Sequence, residues 1–191
     1  MIRKKMMTND IPYNIALTRE LGVPQRTVVG EIMAPNKQFK CEIMVNDSMV
    51  GKYEMRDIFL SLMPLKPLQI PQYKIFVTEE FLHRLQRKDP DAFFKLYHEL
   101  GHIHNHDLLR NDAPTEGEKE AALRGEPSDA DLAADRFAKK YMGLKNSIKA
   151  LRAIKKEREE LCTSQCSSEK AKLNRAAVLD AERRIEAIML K

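Results

Sequence analysis

Between Asp89 and His106 the chain carries a two-sided helical pattern, and this stretch limits what can surround it more than any other. Asp89-Pro90-Asp91 offers an N-cap, a proline suited to a first helical turn, and acidic residues at the positive end of the helix dipole. At about 100° per residue, Phe93, Leu96, Tyr97, Leu100 and Ile103 fall on one side, while Lys95, His98, Glu99, His102 and His106 fall on the other. A helix over about 90–106 is therefore expected, with one face building core and the other presenting imidazoles. His104 falls on the apolar side and reads as structural.

The polar face has a chemistry of its own. His98-Glu99-Leu100-Gly101-His102 sets two imidazoles at i and i+4, on one helical face, with a carboxylate beside them. Two such rings can direct nitrogens to one Zn²⁺ at about 2.0–2.1 Å, with Glu99 bordering a metal-held water as general base. A chance HExxH arises on the order of once per hundred chains of this composition. Four of the five histidines, however, lie within the nine residues from His98 to His106. His106 lies a further turn along, and a straight helix rising 1.5 Å per residue cannot bring i, i+4 and i+8 to one ion. It is a candidate for supporting a ligand or contacting substrate, with plain solvent exposure as the alternative.

A catalytic zinc takes three protein ligands and keeps one position open, so a third ligand is sought elsewhere. The segment from Ser128 to Ala138 is the best candidate, because Asp131 and Asp135 are again four apart. Asp131 can bind the metal, with Glu126 and Asp129 as the next candidates. Ser128 and Asp131 also fit a capping box, in which the carboxylate returns to the first backbone N–H of its helix. Asp135 suits orientation of His98 or His102 through the other ring nitrogen, with an exposed salt bridge as the alternative. Tyr141, His106 and Arg136 are candidate oxyanion donors by chemistry and sequence position.

His98-Glu99-Leu100-Gly101-His102 followed by Asp131-x-x-Ala134-Asp135-x-Phe137-Ala138 resembles the soluble zinc metallopeptidases of the ImmA/IrrE-like kind. The resemblance covers roughly residues 73 to 142. It implies a zincin-like α+β domain with a small mixed or antiparallel sheet and an active-site helix. It also implies one catalytic Zn²⁺ and limited proteolysis of a specific intracellular protein, often a repressor. In that family the place of Asp131 is held by a glutamate. Aspartate is shorter by one bond, about 1.5 Å, so the second helix has to sit closer.

Gln72 to Val77 reads as a strand, ended by the helix-start signal Thr78-Glu79-Glu80. Pro71 favours an edge placement, and the resemblance implies that such an edge strand, Tyr73 to Val77, pairs with extended substrate; a strand that merely closes the sheet fits the sequence equally. Thr27 to Met33 and Gln38 to Val45 suggest a hairpin around Ala34-Pro35-Asn36-Lys37, and Met55 to Met63 suggests a short helix ended by Pro64. No apolar run follows Arg3-Lys4-Lys5 and no apolar span reaches 18 residues, so a cytoplasmic chain without a membrane segment is expected. Cys162 and Cys166 lack a second Cys/His pair and read as reduced thiols, while Cys41 reads as core.

From Asn146 the character changes to two charged helices broken near Thr163 to Ser168, expected as a hairpin appendage over 146–191 after a catalytic domain over 1–145. Ile148, Leu151, Ile154, Arg158 and Leu161 form one narrow stripe, and Leu173, Ala177, Ala181, Ile185 and Ile188 another. Residues 139–191 hold 14 Lys and Arg against 7 Asp and Glu, whereas residues 98–138 hold 4 against 10. The basic hairpin can dock an acidic partner or nucleic acid, or simply face solvent. The expected function is a zinc-dependent metallopeptidase acting on a protein or peptide. The alternatives are a non-catalytic regulator on the same scaffold, binding a partner or DNA, and a DNA-associated zinc protease, for which the pI of about 9.0 gives weak support.

Overall fold

The computed structural model describes residues 14–18, 22, 24–33, 39–47, 57–63, 70–109, 114–164 and 168–190. They form an α+β protein that divides into two compact units, Met1–Glu79 and Glu80–Lys191. The hairpin expected as an appendage thus shares a unit with the helix that carries His98 and His102.

The first unit holds β1 (Asn14–Leu17), β2 (Val28–Met33), β3 (Lys40–Val45), β4 (Ile58–Leu62) and β5 (Gln72–Val77), in a mixed sheet of order β1-β2-β3-β5-β4. The expected β2/β3 pairing is present and antiparallel. Its register shifts between Val28 and Gly30, an extra residue that lets both Val29 and Ile32 turn to the buried side despite their odd spacing. β3 and β5 run parallel with Cys41 beside Tyr73, Ile43 beside Ile75 and Val45 beside Val77. All six are buried, so alternate residues of the two strands form one continuous apolar face.

Two expectations fail in this sheet. β5 is not an edge strand, because β3 and β4 bond it on either side, so its ladder is closed to a substrate strand. Pro71 precedes the first strand residue, where its missing N–H removes nothing from the ladder. Ile58–Leu62, expected within a helix, is instead β4, the edge strand, antiparallel to β5. A five-residue segment is too short to show a period, and pairing of Ile58 and Leu60 with Val77 and Ile75 decides it. The predicted hairpin turn and Cys166 lie outside the described residues.

Within the first unit Asp47 accepts the Glu79 N–H at 2.8 Å, where α1 (Glu79–Gln86) starts as expected. The second unit continues with α2 (Pro90–His104), a 3₁₀ turn (Asp107–Leu109), α3 (Glu116–Leu123), α4 (Asp129–Met142), α5 (Leu144–Ser164) and α6 (Ser168–Met189). Asp89 caps α2 as expected, its side chain accepting the Asp91 N–H at 2.8 Å with Pro90 in the first turn. Leu96, Tyr97, Leu100 and Ile103 are buried as the periodicity requires, joined by Phe94 in place of the half-buried Phe93.

α2 and α4 meet where Gly101 faces Ala134. A Cβ at Gly101 would stand 2.7 Å from the Ala134 Cα, so the approach requires glycine. α5 buries Ala150 and Leu151, and α6 buries Ala176, Ala181 and Ile188, whereas Leu173 of the expected stripe is exposed. Part of the hairpin's charge is used inside the unit. Lys155 pairs with Glu182 at 2.6 Å, Lys95 of α2 with Glu157 of α5 at 3.3 Å, and Lys139 of α4 donates to the Ile188 carbonyl at 2.9 Å. No helix among the described residues is long and apolar enough to cross a membrane. Cys41 is buried, as expected for core, and burial pushes its thiol pKa up; Cys162 is a free thiol.

Candidate metal centre

α2 carries His98 and His102 one turn apart, and their Nε2 atoms lie 3.1 Å from each other. Asp131, in the first turn of α4, places Oδ1 at 3.6 Å from each of those nitrogens. Among the described residues this is the one group of three or more His, Cys, Asp or Glu side chains spaced to hold a metal ion. A circle through the three donor atoms has a radius of about 2.0 Å, against zinc bonds of about 2.0–2.2 Å to nitrogen and carboxylate oxygen.

The outer nitrogens of both rings are held. His98 Nδ1 lies 2.8 Å from Asp135 Oδ1, and His102 Nδ1 lies 2.9 Å from Asp107 Oδ2. An ionised carboxylate only accepts, so each Nδ1 carries a proton, and loss of the proton at Nε2 would turn a lone pair inward. The two Nε2 atoms and the Asp131 oxygen then converge in an arrangement that could hold a cation.

The two oxygens of Asp131 have different neighbours. Ser128 caps α4 by accepting the Asp131 N–H at 3.0 Å, and its hydroxyl donates to Asp131 Oδ2 at 2.6 Å, leaving Oδ1 for the histidines. The helix is capped by the Ser128 side chain, and the Asp131 carboxylate meets the Ser128 hydroxyl and not the backbone N–H that the expected capping box would use. The shorter side chain reaches because the Gly101/Ala134 crossing brings α4 close. Of the alternative third ligands, Glu126 pairs with Arg124 at 2.7 Å and Asp129 is exposed.

The field at the site follows from these contacts. Burial alone would lower the His98 pKa, but Asp131 and Asp135 outweigh it and push it up to about 9. His102 is raised too: burial opposes, and Asp131, Asp107 and Glu99 prevail. Burial would raise the Asp131 carboxyl, yet His102, His98 and the Ser128 hydroxyl hold it well below the usual range. Asp135, also against burial, is held down by Arg184 and His98.

Two residues of this network were not anticipated. Asp107 reaches His102 because the chain reverses just after α2, where His106 takes a left-handed backbone at φ 59°. Arg184 of α6 grips Asp135 with a fork, Nε to Oδ2 and Nη2 to Oδ1, both at 2.7 Å. A local signal existed for Arg184, since it lies three residues after Ala181 and four before Ile188, on the buried stripe of α6.

Glu99 is half-buried beside His98. His106 is exposed in its turn, and His104, also exposed, sets its ring 5.0 Å from that of Phe137. Tyr141 stacks at 5.4 Å on Tyr97, within an aromatic row that includes Phe137, and Arg136 is exposed. Comparisons with protein-family models, with curated proteins and with solved structures found no match.

Proposed function

We propose that the chain is a zinc-dependent metallopeptidase with a zincin-like catalytic unit, acting in the cytoplasm on a specific protein such as a regulator or repressor. The observation that carries this reading is the convergence of His98 Nε2, His102 Nε2 and Asp131 Oδ1 beside Glu99, with each ring fixed from behind by a carboxylate. Zinc held by His98, His102 and Asp131 would supply Lewis-acid chemistry, lowering the pKa of a water and polarising the scissile carbonyl. Glu99 takes the proton of the attacking water and delivers it to the leaving nitrogen. Asp135 and Asp107 keep the Nε2 lone pairs of His98 and His102 directed inward. Asp131 is more open than either histidine, 37% against 12% and 17% of side-chain surface, which leaves an approach for water and substrate on its side.

The test is to incubate zinc-loaded wild type and Glu99→Gln with a lysate of the source cells and to read new N-termini by mass spectrometry. Cleavages made by wild type and missing with Glu99→Gln support the peptidase. A zinc-bound wild type that generates none favours the non-catalytic regulator, and salt-dependent retention on DNA would then identify its ligand.

A further inference from the structure

The C-terminal helix enters the metal centre through one side chain. Arg184 lies on α6, 86 residues beyond His98, yet its Nη2 is 2.7 Å from Asp135 Oδ1 and 3.3 Å from His98 Nδ1. The same Oδ1 accepts from His98 Nδ1 at 2.8 Å, so imidazole and guanidinium share one carboxylate oxygen while Arg184 Nε holds the other at 2.7 Å. Both Asp135 oxygens are thereby fixed and its carboxylate plane cannot rotate, which fixes the direction from which Oδ1 meets the His98 ring. Arg184 Nη1 turns to Asp180 Oδ2 at 3.5 Å, so the guanidinium is held from its own helix as well. α6 is anchored independently by Lys139 to the Ile188 carbonyl and by Arg183 Nη1 to the Arg124 carbonyl at 3.1 Å.

We infer that Arg184 is a positioning residue of the metal centre: by clamping Asp135 it aims His98 Nε2, and so makes metal retention depend on the docking of the C-terminal helical hairpin. The inference rests on the zinc reading above and deepens it. α6 thereby supports the centre although it supplies none of the three candidate ligands. A lysine at 184 keeps the charge but offers one point of attachment, so it cannot hold both carboxylate oxygens. Methionine keeps the apolar stem and loses the clamp altogether.

The experiment measures Zn²⁺ dissociation constants by competition with a chromophoric chelator, for wild type, Arg184→Lys, Arg184→Met and His102→Ala, together with the Co²⁺ d–d spectrum of each folded protein. Supporting residues behind metal ligands change affinity by about 10–100-fold. Arg184→Met is expected to lose affinity on that scale with an altered Co²⁺ spectrum, and Arg184→Lys to lose about fivefold or more. A merely structural role would lower the melting temperature and leave both readouts of the folded protein unchanged. If Arg184→Met does not fold, Arg184→Lys decides. Arg184 variants that fold and bind within threefold of wild type, with its Co²⁺ spectrum, overturn the inference while a binding-deficient His102→Ala leaves the zinc reading standing. Wild type that binds no zinc, or His102→Ala that binds like wild type, removes both.

Discussion

Gly101→Ala perturbs the centre without touching any group in it. The added Cβ would meet the Ala134 Cα at 2.7 Å and the Ala134 Cβ and carbonyl oxygen at 3.0 Å each. Carbon atoms rest at about 3.5–4.0 Å, so α2 and α4 must part by about 1 Å at their crossing. His98 stands three residues before Gly101 and Asp131 three before Ala134, so the displacement falls between the ligands. Moving Asp131 Oδ1 out by that distance widens the circle through the three donors from about 2.0 to about 2.4 Å, beyond the reach of zinc bonds. Closing it again reinstates an overpacking cost of about 1–3 kcal/mol, equivalent to a zinc affinity lowered by about 5–150-fold. Stability of the metal-stripped protein moves less, because alanine regains about 1 kcal/mol of helix propensity. Adding Asp131→Glu lengthens the ligand by about 1.5 Å and should recover most of the affinity in the Gly101→Ala background. Chelator competition on the single and double variants measures both effects. An unchanged affinity in a folded Gly101→Ala, or no recovery in the double variant, would refute the argument that close helix approach compensates for a short third ligand.

Glu99→Gln should keep its zinc and lose about 10²–10⁴-fold in peptide hydrolysis, read as the rate on any peptide that wild type cuts. Asp107→Ala frees the His102 ring and is expected to weaken zinc binding about 10–100-fold, with unfolding followed separately by circular dichroism. Asp135→Ala leaves the Arg184 guanidinium buried without its main partner, so a stability loss of about 3–5 kcal/mol is expected in urea titrations; a loss below 1 kcal/mol would contradict the ion-pair account. His98 titrates near 9 in metal-stripped protein and is protonated at pH 7, so zinc uptake must expel that proton. Apparent zinc affinity should therefore rise about tenfold per pH unit from 7 towards 9, and calorimetry in buffers of different ionisation enthalpy should show proton release; identical heats would contradict it.

The features legible in the sequence are those set within a few residues. The α2 cap at Asp89, the inward face of Leu96, Leu100 and Ile103, and the pairing of His98 with His102 follow from helical period alone. The shared helical face of Asp131 and Asp135 follows from the same period, and the short reach of Asp131 from its side chain. Placement in the sheet was not legible. β5 was recognised as a strand, but a neighbour on each side is a property of the whole chain, and Pro71 gave a false edge signal by standing just outside the ladder. β4 lacked the length to show a period. Asp107 depends on a left-handed turn at His106, a conformation uncommon outside glycine even though histidine is among the residues that adopt it more often. Arg184 sits in a charge-rich hairpin where an arginine ordinarily faces water, and only its position on the buried stripe marked it.

The central claim is that His98, His102 and Asp131 together hold one zinc ion. Elemental analysis of metal-replete wild type, Glu99→Gln and Asp131→Ala tests it directly. About one zinc per chain in the first two and its loss in Asp131→Ala is the result the account predicts for a three-ligand site. Wild type without zinc, or Asp131→Ala that retains a full equivalent, would contradict it.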